Sequence, residues 1–154
     1  MANPVMQLWH RASRWPGGQR VFSMMVARRA PYFGTVKPRV TSLEPNRCTV
    51  VMRKRRTVQN HIGTVHVIAI CNLLEMAMGV CAEASVPRHL RWIPKGMSVD
   101  YVAKAGTDIT ATAEIDPDAW APGDLSVKVT ATDTDGNAVV EGHIRLWITE
   151  RPAA

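Results

Sequence analysis

One stretch constrains this chain more than any other: residues 65–81, where Ile70, Leu73, Leu74, Ala77, Met78 and Cys81 recur at three-and-four spacing. That period lays them on one face of an α-helix, and their apolar character requires something to cover the face. The residues after it have a different period. Leu125, Val127, Val129 and Ala131 alternate with Ser126, Lys128, Thr130 and Thr132, the signature of an antiparallel strand with one wet face. Further strands are expected over 97–104, 108–115 and 138–149, with Asp135-Gly136 as a tight hairpin turn. Ahead of the helix, 39–44 and 47–54 read as a hairpin turned by Glu44-Pro45-Asn46. One long apolar helix in an otherwise meandering antiparallel chain implies an α+β plan, with a sheet of about five to six strands wrapped around the helix.

The first thirty residues follow another pattern. Asn3-Pro4 supplies a cap and a proline at the first helical position, and Val5, Leu8, Trp9 and Ala12 then fall at helical spacing over 3–14. After the break at Pro16-Gly17-Gly18, a second helix through Val21, Met24, Met25 and Arg28 should end before Pro31. The expected organisation is a helical appendage over 1–30 and a main domain over 31–154.

Charge is segregated along the chain. Seven basic residues precede the first acidic one, Glu44, and the run Arg53-Lys54-Arg55-Arg56 continues the excess, whereas residues 101–150 hold nine acids against three bases. Such a basic part favours an anionic partner: nucleic acid, an acidic membrane surface or a phosphate-bearing small molecule. No helix-turn-helix, zinc-finger or aromatic RNA-binding signature accompanies the charge, so no nucleic-acid partner is expected. The acid-free leader superficially resembles a transit peptide, but it is poor in serine and runs into the folded pattern. Cys48, Cys71 and Cys81 show neither disulfide nor metal spacing, so no metal is expected and a reducing cytoplasm suits them. Because His66, Asn72 and Glu75 interrupt 62–78, no membrane span is expected. Trp9, Trp15, Trp92, Trp120 and Trp147 are scattered and read as core or interface fillers.

The chemistry concentrates where Asn60-His61-Ile62-Gly63-Thr64-Val65-His66 enters the helix, with Glu75 nine residues beyond His66. This pattern resembles the signature of the hotdog-fold acyl-CoA thioesterases, including phenylacetate-pathway members. It is most similar to a branch with NxxGTxH and a glutamate on the helix. The resemblance spans about Pro31 to Thr149 and takes in Lys95-Gly96-Met97. It implies a long central helix wrapped by an antiparallel sheet, an acyl-CoA or acyl-pantetheine thioester as substrate, and no cofactor beyond the coenzyme A of the substrate itself. It also implies Glu75 as general base or direct nucleophile, with Asn60 orienting the water or the carboxylate. Val67 stands where glycine is commoner, and Glu75 where aspartate is more frequent.

Elementary geometry sharpens the expectation. The unpaired N–H groups and positive end of a helix starting near His66 make an oxyanion hole, with the Val67 backbone N–H as donor. Glu75 then lies about 13.5 Å along the axis from His66 and half a turn round it, so one subunit cannot bring both to one carbonyl. A two-fold partner with its helix antiparallel would deliver Glu75 across the interface, giving two composite sites in a homodimer, or in a dimer of dimers. His66 reads either as a helix-entry residue or as a base; Asn60 and Gly63 read equally as a turn and cap. Gly79, one turn past Glu75, leaves room for an acyl chain or a neighbouring backbone. Arg55 or Arg56, with Arg88 or Arg91 in the loop after the helix, are candidates for gripping the phosphates of coenzyme A, or else form a solvated sheet edge. The alternative function is a non-catalytic protein that binds acyl-CoA or lipid.

Overall fold

A computed structural model of the chain describes residues 3–152. Two helices, α1 (Pro4–Ser13) and α2 (Gly18–Arg29), lead through a 3₁₀ turn at Pro31–Val36 into the hairpin β1 (Arg39–Glu44) and β2 (Arg47–Met52). The long helix α3 (Val67–Ser85) follows, and then β3 (Leu90–Tyr101), β4 (Ile109–Glu114), β5 (Gly123–Thr132) and β6 (Ala138–Glu150). All six strands form one antiparallel sheet in the order β1-β2-β4-β5-β6-β3. This is the α+β plan that the two periodicities imply.

The sheet buries α3 because its strands turn their alternate residues inward: Cys48, Val50 and Met52 of β2, Ile109, Ala111 and Ala113 of β4, and Leu125, Val127, Val129 and Ala131 of β5 are all buried. They meet Ile70, Leu73, Leu74, Ala77, Met78 and Cys81 in a single apolar cluster. Trp9 of α1 and Phe22 of α2 belong to the same cluster, their rings edge to face with centroids 5.2 Å apart. At 19 residues α3 runs past Cys81 to Ser85, which makes it long and apolar enough to cross a membrane. The helix expected over 65–81 thus extends a turn further, and the sheet covers most of it.

Two other boundaries differ from the expected ones for physical reasons. β3 begins at Leu90 rather than near Met97, since Pro94 does not stop it. β3 is an edge strand, and a register shift between Pro94 and Gly96 absorbs the proline, which is where a sheet tolerates a missing N–H. Arg91 therefore lies on a strand that pairs with Thr149, not in the loop after α3. Pro31 likewise opens a 3₁₀ turn instead of only ending α2.

The two borders of the sheet are treated differently. At β1, the buried Ser23 of α2 accepts the Val40 N–H at its Oγ (2.9 Å), and Gln19 Nε2 donates to the Thr41 carbonyl (3.2 Å), so α2 occupies the edge. At β3 nothing among the described residues covers the outer border, and Ile93, Met97 and Tyr101 are exposed along it. Open apolar edges invite pairing with another chain.

Candidate functional site

The loop before α3 is built by Asn60. Its Oδ1 accepts the N–H groups of Ile62 (3.2 Å) and Thr64 (3.1 Å), its Nδ2 donates to Thr64 Oγ1 (2.8 Å), and its carbonyl accepts from Gly63 (3.1 Å). Gly63 sits at φ +79°, a conformation that glycine adopts without a steric penalty. The loop closes with the Gln59–Val65 bridge and a hydrogen bond from the His66 N–H to the Val58 carbonyl (2.8 Å), which fixes where the helix begins.

His66 is the N-cap of α3. Its Nδ1 accepts the N–H of Ile68 (3.1 Å), and its carbonyl accepts from Ala69 and Ile70. Of the first helical N–H groups, that of Val67 is left without an acceptor among the described residues. Asn60 and Val67 both line a cavity of about 300 Å³ that also touches Tyr101, Lys104 and Val139. A second cavity of about 360 Å³ lies beyond His66, against Tyr32, Thr35, Gln59, Ile68 and Asn72.

Glu75 lies in neither cavity. It is half-buried on the one open stripe of α3, with Ile68, Cys71, Gly79 and Glu83. At 1.5 Å per residue it stands about 12 Å along the axis from Val67. Gly79 is next on that stripe, and a Cβ there would meet Trp92 Cη2 at 3.7 Å, an ordinary contact. The Trp92 ring reaches across the stripe to donate to Glu83 Oε2 (3.1 Å). Cys71, one turn before Glu75, has its thiol pushed up by burial and is held protonated, a poor nucleophile.

The basic candidates are dispersed. Arg55 turns inward, its Nη1 and Nη2 donating to the carbonyls of Val36 and Thr35 (2.9 Å each), so it closes the 3₁₀ turn. Arg56, Arg88 and Arg91 are exposed, with Arg91 Nε donating to Thr149 Oγ1 (2.9 Å). Among the described residues no cluster of three His, Cys, Asp or Glu side chains is placed to hold a metal ion.

Asn72 was legible in the sequence only as an interruption of an apolar run. In the fold it is 6% exposed, and its Nδ2 donates to the Tyr32 carbonyl (3.1 Å) and Thr35 Oγ1 (3.2 Å), while its Oδ1 has no donor. Tyr32 offers only its carbonyl at that point, which fixes the amide's orientation. A polar residue at a buried position of the helix was the available signal.

Comparison with known proteins places this geometry in context. A family model described as a domain of unknown function, DUF4442, matches residues 18–148. A genomics target of known crystal structure is 39% identical, with 96% of this chain and 98% of that one aligned at a TM-score of 0.82. A Pseudomonas aeruginosa protein called a probable thioesterase is 20% identical over 89% of this chain and 97% of its own, at a TM-score of 0.76. A thioesterase family protein from Silicibacter pomeroyi is 20% identical over 88% and 100%, at a TM-score of 0.71. No curated protein matches. The structural likenesses show that the fold is the hotdog fold.

Proposed function

The chain belongs to the DUF4442 family, and from that membership, its hotdog fold and the layout of its helix start we propose that it is a thioesterase acting on acyl-CoA or a related acyl-pantetheine. The observation that carries the reading is the Val67 N–H at the positive end of α3, without an acceptor among the described residues, paired with the carboxylate of Glu75 on the open stripe of the same helix, where the other carboxylate, Glu83, accepts from Trp92. The names of its structural neighbours support it.

The working unit is a homodimer. Two β3 edges meeting antiparallel across a two-fold axis would cover Ile93, Met97 and Tyr101 and lay the two α3 helices antiparallel. Each thioester carbonyl then lies against the Val67 N–H of one protomer and near Glu75 of its partner. Glu75 takes a proton from water, the hydroxide adds to the carbonyl, and the Val67 N–H holds the resulting oxyanion. The C–S bond breaks as the tetrahedral intermediate collapses, and the thiolate leaves with the proton. Direct attack by Glu75 through an anhydride uses the same placement. Asn60 and Gly63 act through the loop they fold, and His66 through the helix start it caps. Gly79 keeps room for the acyl chain beside Trp92. With the guanidinium of Arg55 taken by backbone carbonyls, the phosphates of coenzyme A fall to Arg56, Arg88 and Arg91.

Thiol release from a panel of acyl-CoAs tests the proposal. Glu75→Gln should lower kcat by about two to four orders of magnitude in an intact dimer; unchanged turnover removes Glu75 from the mechanism. Arg56→Gln with Arg88→Gln should raise KM for acyl-CoA and spare small thioesters. A second reading, acyl-CoA binding without turnover, draws on the Val67 side chain, which lines the cavity the carbonyl must enter. Ligand-induced thermal stabilisation with no thiol release across the panel would select it.

A further inference from the structure

The most uneven surface away from the helix start is the corner formed by α1, α2 and the first residues of β1. Seven bases and no acid precede Glu44, and the fold gathers part of that excess. Arg20, Lys37 and Arg39, joined by Arg53, surround one groove of about 720 Å³ between α2 and the adjoining ends of β1, β2 and β4. None of these four side chains makes a hydrogen bond or an ion pair among the described residues. Asp108, the one carboxylate among the described residues lining the groove, already accepts the backbone N–H of Lys54 at 2.8 Å.

The same corner leaves apolar side chains in water. Met24, on the groove wall, is 55% exposed, Val21 one turn before it 49%, and Trp15 74%. Trp15 shares an adjoining cavity with Arg20 and Arg39, so cations and apolar side chains form one continuous surface. Unrelieved like charge opposes a compact state, and exposed Trp and Met forgo their burial energy. A partner that relieves both must be anionic and apolar at once.

We infer that this corner docks on an anionic phospholipid bilayer, with Trp15, Val21 and Met24 entering the boundary between headgroups and acyl chains and Arg20, Lys37, Arg39 and Arg53 meeting the lipid phosphates. Tryptophan favours that boundary, and basic residues near an anionic leaflet add to the attraction one by one. A second copy of this chain is a poorer occupant, because a two-fold contact would set the same four cations against themselves. Nucleic acid would satisfy the charge but would find a single aromatic ring and no use for Val21 and Met24. The inference is independent of thioester hydrolysis.

Flotation of the full chain with vesicles tests it. The protein should float with phosphatidylcholine vesicles that contain phosphatidylglycerol, and not with phosphatidylcholine alone. Arg20→Gln with Arg39→Gln should weaken partitioning by about 25-fold, from about five-fold for each cation removed. Brominated lipid should quench part of the tryptophan emission, and Trp15→Phe should abolish that part. All three side chains are exposed, and thermal melting of the variants checks that they fold. Absence of flotation with phosphatidylglycerol vesicles, or flotation and quenching indifferent to the substitutions, overturns the inference. So does single-stranded RNA binding at this corner that anionic vesicles fail to displace.

Discussion

The Nδ1 atom of His66 accepts the backbone N–H of Ile68 at 3.1 Å, so the imidazole is part of the helix it precedes. With Nδ1 used as an acceptor, the neutral ring carries its proton on Nε2. A side chain so engaged is a structural cap first, which separates two effects that a single alanine substitution would confuse. His66→Ala should cost about 1 kcal/mol of stability in urea unfolding, the usual value of a lost N-cap, whereas His66→Asn should restore most of it. If His66 serves only as a cap, His66→Asn should also keep kcat; a hundred-fold loss with stability restored would give the imidazole a chemical task.

Val67 allows the donor to be deleted with little harm to the helix. It is the first helical residue, where proline is tolerated, and His66 before it has φ −66° and ψ 131°, the extended conformation that proline requires of its predecessor. Val67→Pro should fold and lose about two to three orders of magnitude in kcat. When it is unfolded and refolded together with Glu75→Gln, about a quarter of wild-type activity should return, because half the dimers are mixed and each mixed dimer has one intact site. No recovery on mixing would mean that the donor and the carboxylate belong to sites within single protomers.

The open border of β3 makes its own prediction. Ile93→Lys together with Met97→Lys places charge on an edge that would be covered on pairing, and like charges across the two-fold axis oppose contact. Light scattering should show the double variant as a folded monomer, with thiol release gone although Glu75 and Val67 are unchanged. A dimer of undiminished activity would move the interface elsewhere.

Alkaline stability follows from the buried thiols. Burial pushes Cys81 up to about 12 from an ordinary value of 9.0, and Cys48 is raised as well, first by burial and then by the neighbouring Cys81. A raised folded pKa means that the stabilising contribution is complete below the unfolded value and is lost as pH climbs from about 9 towards 12. Unfolding free energy should therefore fall through that interval, and Cys81→Ala should flatten the slope. Cys48 and Cys81 should resist a disulfide-exchange reagent at pH values where the unfolded chain reacts fully.

The helix and the sheet were legible because each has a clean period. Ile70 to Cys81 repeat at helical spacing and Leu125 to Ala131 alternate, and both patterns survive in the burial of the same residues. The start of β3 was not legible, since Pro94 reads locally as a break and only its position at a sheet border makes it tolerable. Arg55 belongs to a basic run that reads as solvated, yet its partners are the carbonyls of Thr35 and Val36, about twenty residues earlier in the chain. Asn72 is a similar case: nothing nearby in the sequence announces that its amide will hold the Tyr32 turn. At the helix start, by contrast, Asn60, Gly63 and His66 are local to one another, and a turn leading into a helix entry is one of the two readings their spacing offers.

Ser23 has one more consequence. By occupying the Val40 amide it removes one border of the sheet from any template role, so a ribbon of such sheets can grow in a single direction only. Once two open margins have met, neither newcomer nor repeat can be added to the row, and assembly by strand addition terminates itself instead of running on into a fibre.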